Sequence, residues 1–454
     1  MHKAIIPLLY VLIFSVSNLF AGNGSKPHYN DKDINHIVSQ LTLEQKARLL
    51  VGCPGSDKGV SHIVAGSAGY TFPIDSLGIP SINLADGPVG VRITPVLPNK
   101  PYTSYCTCFP STTALAATWN KDIARLEGNA IGDEALAYGV DIVLTPGINI
   151  MRNPLCGRNF EYFSEDPYLS GIMGAAMING IQDKGIGASL KHFIANNQQT
   201  GKLYNDARIS QRAIREIYLK GFEICIKNSD PWTVMGSYNK IGGQYTQANP
   251  ELLRTILRNE WNYNGLIVTD WYKKRDTADQ LNGGTDLMMP GEQSQVDEII
   301  AGVKNGRISE TTLNESVKYV LKLISKSISN KGWEYNEAPD LAANAALARR
   351  IATEGMVLLK NDRSFLPISQ GAKIALFGAT AYKSIAGGTG SSNVNKAHIT
   401  DISTGLEKGG YTLSNRLKGL YTKFVEFQND LLDKHPESTD WEKLSYNCLL
   451  YTSD

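Results

Sequence analysis

The sequence predicts an α/β protein: a (β/α)8-like TIM barrel over residues 30–326, followed by an incomplete α/β sandwich domain over residues 372–454. The main observation is a repeating alternation of short apolar segments and amphipathic segments, which is typical of parallel βα units. Six apolar segments are predicted strands: 81–86, 141–146, 188–192, 233–238, 266–270 and 286–289. A barrel of this class has eight strands, so two strands are unassigned and the pattern allows an irregular barrel.

The helices predicted between these strands have recognisable starts. Thr42 stands at the start of a helix over residues 41–50, and Gln45 three residues later completes a capping box. Pro250 suits the first turn of a helix over residues 250–260. Further amphipathic helices are predicted at 121–138, 211–227 and 309–326, and the last of them closes the barrel.

The two ends of the chain differ from its middle. Residues 1–22 combine a short basic start, an apolar run and two small residues. This pattern predicts a signal peptide and an exported protein, periplasmic or secreted, with an uncleaved anchor as the alternative. Residues 327–371 are predicted to be a linker, and 83 residues follow it. We hypothesise that the second domain is truncated and that its last nine residues, 446–454, are not native coding sequence.

Composition excludes several classes of partner. The net charge is +1 and no basic run is present, which argues against a nucleic-acid partner. After residue 22 no apolar stretch is long enough to span a membrane. None of the six cysteines is assigned a disulfide partner, and the pair Cys106 and Cys108 lacks the further cysteines or histidine of a zinc site. No metal and no cofactor is expected, and the oligomeric state is left open.

Polar and aromatic side chains follow five of the predicted strands at the point where each strand ends. Each case alone has a structural explanation, such as a turn for the acid before Gly87 or a surface pair for the adjacent Lys and His. Together they predict an active site, because the carboxyl ends of barrel strands meet at one rim. An acid beside an indole suits a sugar, whose C–H face stacks on the ring while the carboxylate meets the anomeric carbon. In chain order these residues are Asp86, Arg158, Lys191, His192, Tyr238, Asp270 and Trp271.

The stretches that carry these residues resemble glycoside hydrolase family 3, in its β-glucosidase branch. The resemblance implies a retaining double displacement that releases terminal β-D-glucosyl residues from oligosaccharides or glucosides. In that mechanism one carboxylate attacks the anomeric carbon, and a second carboxyl, ~5–5.5 Å away, protonates the leaving oxygen. The resemblance covers about residues 35–392 and rests on the stretches 86–92, 109–110, 116–120, 157–167, 191–197, 235–239, 265–271, 286–291 and 357–367.

The resemblance also implies a role for each residue. Asp270 would be the nucleophile, Tyr238 would lie near it, and Met235 and Trp271 would form apolar walls. Arg92 and Glu161 match motif positions and are expected to hold loops. Positive charge from Arg158 and Lys191 is expected to keep nearby carboxylates ionised. The hydroxyls of the cleaved sugar would be bound by Asp86, Arg158, Lys191 and His192.

The sequence departs from the family pattern at a few positions. Thr269 stands where Ser usually precedes the nucleophile, and Gln199 stands where Glu is expected. The general acid/base of this branch is a Glu from the second domain, and none is named here because no candidate has the expected context. This group is expected to be absent from the chain: Glu426, Glu437 and Glu442 exist, but none of them lies in the expected context.

Three other functions are weighed against β-glucosidase activity. The first is a non-catalytic sugar-binding protein or inactive fragment that lacks its acid/base. The second is β-xylosidase-type specificity, which the acid at position 86 argues against because it is placed to meet the outer hydroxyls of a hexose. The third is a barrel enzyme acting on phosphorylated metabolites, for which Gly283-Gly284 is too short a phosphate loop.

Overall fold

The computed structural model describes residue 29 and residues 33–55, 64–94, 102–271, 275–388 and 390–433. The predicted signal peptide, the last nine residues, Cys448, Glu437 and Glu442 therefore lie outside the described residues. No helix in the described part is long and apolar enough to cross a membrane. Within the same part, no group of His, Cys, Asp and Glu side chains could hold a metal ion.

One seven-stranded sheet forms the centre of the fold. Its strands stand in the order β1-β2-β3-β4-β5-β7-β10, with β2 antiparallel to both of its neighbours and the remaining pairs parallel. A separate three-stranded sheet consists of β6, β8 and β9. The strands so far are β1 (Cys53–Pro54), β2 (Gly69–Tyr70), β3 (Asn83–Asp86), β4 (Ile142–Leu144), β5 (Gly187–Phe193), β6 (Asp206–Ala207), β7 (Thr233–Gly236), β8 (Lys240–Ile241), β9 (Gln244–Tyr245) and β10 (Leu266–Val268).

The seven-stranded sheet closes on itself through single bridges. Leu287 bridges Val268 at the end of β10, and Met288 bridges Val51, two residues before β1. The Gly52 N–H donates to the Met288 carbonyl at 2.8 Å, and the Met288 N–H donates to the Leu50 carbonyl at 2.9 Å. The ring therefore has eight segments, and the predicted barrel is confirmed in an irregular form.

Two strand predictions need correction. The predicted strand at 286–289 is reduced to the two bridges that close the ring. The two strands that the sequence left unassigned are β1 and β2, which have two residues each and pair antiparallel to one another. Segments this short carry no apolar periodicity, so a pattern search over the sequence passes over them.

The strands of the ring are buried because helices cover its outer face. β4 and β10 read Ile-Val-Leu and Leu-Ile-Val, and every one of these six side chains is at most 1% exposed. Such continuous runs of apolar, mostly β-branched residues are typical of parallel strands covered on both faces. The helices up to residue 326 are α1 (Ile34–Gln40), α2 (Leu43–Leu49), α3 (Thr112–Ala117), α4 (Lys121–Tyr138), α5 (Pro167–Asp183), α6 (Gln211–Ala213), α7 (Lys220–Ser229), α8 (Thr277–Gly283), α9 (Gln293–Lys304) and α10 (Glu310–Lys326).

Helix starts follow the sequence closely, whereas helix type does not always do so. Thr42 caps α2 and forms the predicted capping box with Gln45. The α-helices predicted at 211–227 and 250–260 contain π-helical turns, at Ile214–Tyr218 and Glu251–Glu260. In the second case Pro250 is predicted in the first turn and lies one position earlier, as the N-cap residue.

Residues beyond 340 form smaller elements than the barrel does. They are α11 (Leu341–Glu354), β11 (Lys373–Ile374), α12 (Ile402–Lys408), β12 (Thr412–Leu413) and α13 (Asn415–Asp433), and β11 pairs parallel with β12. Helix α11 reaches the barrel, where Asn344 Nδ2 donates to Glu134 Oε1 at 2.9 Å. The loop that contains Asn395 also reaches it, because the Cys106 N–H donates to the Asn395 carbonyl at 2.8 Å.

Candidate active site

The carboxyl ends of the barrel strands bring the predicted residues to one rim. Asp86 ends β3, Lys191 and His192 lie near the end of β5, Tyr238 follows β7 and Asp270 follows β10. These strands run parallel in the ring, with β4 between β3 and β5, so their ends face the same side. The structure therefore brings together residues that are up to 184 positions apart in the chain.

Asp270 is a buried carboxylate with one uncommitted oxygen. The residue is 8% exposed, and its Oδ1 accepts a hydrogen bond from the Trp271 N–H at 2.7 Å. Its Oδ2 is buried and has no hydrogen-bond partner among the described residues. Burial raises the pKa of Asp270, while Arg158, the Trp271 N–H, Lys191 and Tyr238 each act in the opposite direction. The expected influence of the cations is present, but burial outweighs it.

His192 is buried beside this carboxylate and is neutral. Its Nε2 lies 3.8 Å from Asp270 Oδ2, and its Nδ1 lies 3.2 Å from the Tyr162 hydroxyl. Burial lowers the pKa of His192 well below its usual value, and the nearby cations lower it further. Both backbone groups of His192 bond to the side-chain amide of Asn149 at 2.9 Å, which fixes the backbone from which the imidazole projects.

Arg158 is held by an acid that the sequence assigned to loop support. The Arg158 guanidinium donates to the Glu161 carboxylate, which is 1% exposed. Burial acts to raise the pKa of Glu161, but Arg158 and Lys191 outweigh it, so the net shift is downward. The same pairing raises the pKa of Arg158 despite its burial. Glu161 therefore stays ionised and fixes the guanidinium near Asp270.

Lys191 is a buried ammonium without a committed partner. The residue is 2% exposed, and no described residue forms an ion pair with it. Burial lowers the pKa of Lys191, whereas Glu161, Asp86 and Asp270 act to raise it. A buried cation with unused donors costs free energy, so this arrangement favours binding of an oxygen-rich ligand.

Asp86 faces the same region from β3. Its Oδ2 lies 3.4 Å from Arg92 Nη1, and its side chain keeps 17% of its surface exposed. Arg92 is thus an ion-pair partner of a residue predicted to bind the sugar, and its loop-holding role stays a prediction.

The two predicted apolar residues lie at the inner edge of the site. Met235 and Trp271 are 2% and 6% exposed and belong to one apolar cluster of the barrel. The indole N–H of Trp271 donates to the Ala68 carbonyl at 3.0 Å, so the ring has a fixed orientation. Contact of either side chain with a sugar stays a prediction.

Sequence reasoning missed three residues that shape the site: Tyr162, Asn149 and Lys202. The first two orient His192 through the contacts given above. The ammonium of Lys202 lies 4.9 Å from the centre of the Tyr238 ring. Burial and Arg158 lower the pKa of Lys202, whereas Asp270 and Glu161 act to raise it. Lys202 stands nine residues after the end of β5, so the strand-end signal that found the other residues cannot find this one.

No second carboxyl is joined to Asp270 by a hydrogen bond or ion pair within the described part of the chain. Glu426 lies on the exposed side of α13, and the other two candidates lie outside the described residues. Gln199, which stands where the family pattern has Glu, carries an amide and not a carboxyl group. Its Nε2 donates to Asn196 Oδ1 at 3.4 Å. The acid/base stays unassigned.

Comparison with known proteins points to one family. Residues 101–323 match the glycosyl hydrolase family 3 N terminal domain. The chain is 40% identical over 410 residues to thermostable beta-glucosidase B of Acetivibrio thermocellus, covering 88% of this chain and 51% of that protein. It is 37% identical over 390 residues to an exo-alpha-(1->6)-L-arabinopyranosidase of Bifidobacterium longum, covering 82% of this chain and 49% of that protein.

Solved structures give the same result. Beta-glucosidase 3B of Thermotoga neapolitana, in complex with alpha-D-glucose, superposes with a TM-score of 0.83 at 42% identity, covering 88% of this chain and 57% of that one. A Bifidobacterium adolescentis GH3 beta-glucosidase gives a TM-score of 0.72 at 36% identity, covering 83% of this chain and 52% of that one. The chain thus spans about half the length of the curated relatives it matches.

Proposed function

Because the chain belongs to glycoside hydrolase family 3, we propose that it carries the nucleophile and sugar-binding half of an exported retaining β-glucosidase. The substrate would be a terminal, non-reducing β-D-glucosyl residue of an oligosaccharide or glucoside. The proposal extends to activity because relatives named beta-glucosidase match 88% of this chain. Export rests on the pattern of residues 1–22 alone, and N-terminal sequencing of the protein recovered outside the cytoplasm tests it.

The reaction proceeds in two displacements. In the first, an oxygen of Asp270 forms a bond to the anomeric carbon, the bond to the aglycone oxygen breaks, and a general acid protonates that oxygen. In the second, water forms a bond to the same carbon, the glycosyl–Asp270 bond breaks, and the water proton passes to the conjugate base. The uncommitted Oδ2 of Asp270 supports its assignment as the nucleophile.

The residues around Asp270 would bind the hydroxyls of the sugar. The ammonium of Lys191 has three donors to offer, and the guanidinium of Arg158 is held in place by Glu161. His192 is neutral and close to Asp270, so it can exchange hydrogen bonds with a hydroxyl without competing for the carboxylate as a cation. Asp86 would accept hydrogen bonds from the outer hydroxyls of the sugar.

The identity of the sugar is a separate part of the proposal. A hexose is favoured because Asp86 adds an acceptor at the rim. A pentopyranose is the alternative, either of the β-xylosidase type or as suggested by the relative named arabinopyranosidase. Hydrolysis rates for matched aryl β-glucoside, β-xyloside and α-L-arabinopyranoside decide between them, and a preference for either pentoside removes glucose from the assignment.

One observation carries the proposal: the buried Oδ2 of Asp270, which has no hydrogen-bond partner among the residues that the structure describes, lies 3.8 Å from His192 Nε2, at the rim where Arg158 and Lys191 also act on the carboxylate. The test uses a 2,4-dinitrophenyl 2-deoxy-2-fluoro-β-D-glucoside, whose leaving group needs no acid. We expect the protein to release dinitrophenolate and to retain the fluoroglucosyl group on Asp270, as located by peptide mass spectrometry.

The variant Asp270→Asn is expected to abolish this labelling, because an amide oxygen is a poor nucleophile. We expect a loss on the order of 10⁴-fold. Asp279→Asn is the matched control, since Asp279 lies nine positions later, is 62% exposed and pairs with Arg307 at the surface. Attachment of the label to a different residue would remove Asp270 from its role.

A second candidate function is sugar binding without turnover. The specific observation in its favour is that no second carboxyl forms a hydrogen bond with Asp270 among the described residues. It predicts that glucose binds, as measured by titration calorimetry, while the activated fluoroglucoside leaves Asp270 unlabelled.

A further inference from the structure

Arg275 lies at the mouth of the barrel, five positions after Asp270 in the same loop. Its Nη2 donates to the Leu203 carbonyl at 2.8 Å and lies 3.4 Å from the Tyr238 carbonyl. Its guanidinium carbon lies 3.7 Å from the centre of the Tyr245 ring. No described carboxylate pairs with it, so its donors serve backbone carbonyls from two other loops.

The loops that Arg275 joins carry groups that act on Asp270. Leu203 directly follows Lys202, whose ammonium is electrostatically coupled to Asp270 and lies over the Tyr238 ring. The Tyr238 hydroxyl in turn lowers the pKa of Asp270. A single side chain therefore connects the loop of the nucleophile with the loops of two of its neighbours.

We propose that Arg275 is a positioning residue. It holds the backbone of Lys202–Leu203 and of Tyr238, so that the side chains of Lys202 and Tyr238 are correctly placed against Asp270 and the substrate. The kinetic part of this proposal rests on the proposed function. A planar guanidinium can donate to two carbonyls while it stacks on an aromatic ring, and a lysine ammonium cannot do all three. Arg275→Lys is therefore not a conservative change.

The other groups that face Asp270 do not depend on Arg275. Arg158 is held by Glu161, and His192 is held by Tyr162 and Asn149. Lys191 lies within strand β5. Replacement of Arg275 should therefore loosen Lys202 and Tyr238 and leave the remaining charges in place. Because Tyr238 lowers the pKa of Asp270, that pKa should rise when Tyr238 is no longer held.

The experiment compares Arg275→Lys and Arg275→Ala with wild-type protein and with Arg254→Lys. Arg254 is a matched control because it also donates to two carbonyls, of Asn282 at 2.9 Å and Leu281 at 3.0 Å, on a helix outside the candidate site. The rate of labelling by the dinitrophenyl fluoroglucoside is measured across pH. For both Arg275 variants we expect a fall of ~10–100-fold. The acid limb of the profile should move to higher pH, whereas Arg254→Lys should keep the wild-type profile.

A second readout needs no substrate. Acetylation of Lys202 by acetic anhydride, quantified by peptide mass spectrometry, should become faster in both Arg275 variants and stay unchanged in Arg254→Lys. If wild-type protein is not labelled by the fluoroglucoside, the proposed function fails, and the acetylation rate alone judges Arg275. The positioning role would be overturned if Lys202 were acetylated at the wild-type rate in the Arg275 variants. It would also be overturned if these variants were labelled more slowly by the fluoroglucoside but with an unshifted pH profile.

Discussion

The barrel and the region after residue 340 use the same apolar residues with different results. In the barrel, Leu144 on β4 and all of β10 are at most 1% exposed. In the later region, Met356, Val357, Leu358 and Leu359 form an equally apolar run, yet each is between 62% and 92% exposed. Apolar sequence alone does not produce a core. It needs neighbouring segments that pair with its backbone and helices that cover its side chains.

The same contrast explains why the candidate site is well formed. Every strand that presents a site residue has neighbours on both sides of the ring. Within residues 341–388 and 390–433 the strands are the two-residue pair β11 and β12, so that described part holds no comparable sheet to position its side chains. Three predictions compare matched residues: two take one residue from each region, and one compares two acids of the barrel, of which one is bonded to the later region.

The largest difference is expected for two leucines. Leu144→Ala should lower the free energy of unfolding by about 2–5 kcal/mol, because it removes buried methyl groups and leaves a cavity. Leu359→Ala should change it by less than about 0.5 kcal/mol, because Leu359 is 92% exposed. Urea unfolding followed by fluorescence measures both. Equal losses would show that the exposed run is packed in solution and would end the comparison.

The next effect concerns two acids on α4, one of which has a partner from the later region. Glu134 accepts hydrogen bonds from the Thr107 N–H and from Asn344, whereas neither carboxylate oxygen of Glu127 has a partner among the described residues. Burial raises the pKa of Glu127 from 4.5 to about 8. The folded state therefore holds a proton there that the unfolded state releases above pH 4.5.

This retained proton sets the direction in which the free energy of unfolding changes with pH. Stability contributed by Glu127 is present at low pH and falls as pH rises toward 8, by about 1.4 kcal/mol per pH unit. Glu127→Gln should reduce this loss of stability with rising pH. In urea unfolding, the free energy of unfolding of the variant should therefore increase relative to that of the wild type between pH 5 and pH 8. A wild-type stability curve that rises over that range, or a variant with the same slope as wild type, would contradict the assignment.

The smallest effect is expected for two helical glycines, with opposite signs. A Cβ at Gly180 on α5 would lie 2.1 Å from the Arg125 carbonyl oxygen of α4, so Gly180→Ala should cost about 1–3 kcal/mol. A Cβ at Gly419 on α13 would meet nothing within 4 Å. Gly419→Ala should therefore stabilise that helix by up to about 1 kcal/mol. Helicity against temperature by circular dichroism checks both signs, and a stabilising Gly180→Ala would refute the close packing of α4 on α5.

Sequence patterns were sufficient for elements whose signal is local. The bounds of α4 agree with the prediction residue for residue, and the capping box of Thr42 and Gln45 is confirmed. The patterns were insufficient where distant segments decide the outcome. The two residues of β1 become a strand only because Met288 and β2 lie beside them. The π-helical turn within Glu251–Glu260 has no counterpart in the apolar spacing.

The same division holds for the candidate site. Strand ends identified Asp86, Lys191, His192 and Asp270 as neighbours, and the structure places them at one rim. Their roles stay predictions. The direction of the pKa shift of Asp270 could not be predicted from the sequence, because it depends on how deeply the fold buries this side chain. Lys202 was missed because a loop, not a strand, carries it to Tyr238.

The hydrogen bonds between Met288 and residues 50–52 have a consequence for how the protein would respond to cleavage near its amino terminus. The first and last segments of the barrel are joined by backbone hydrogen bonds that Leu50 and Gly52 form with Met288. No later segment of the described chain makes bonds that could replace them. A protease that trims the amino terminus meets core residues before it reaches α2, because Tyr29, Val38 and Leu41 are each 5% exposed and belong to the apolar cluster that also contains Leu50. A cut at residues 50–52 would remove the hydrogen bonds that hold the segment around Met288. That segment lies beside Thr269 and Asp270, so the candidate site would lose its support on that side.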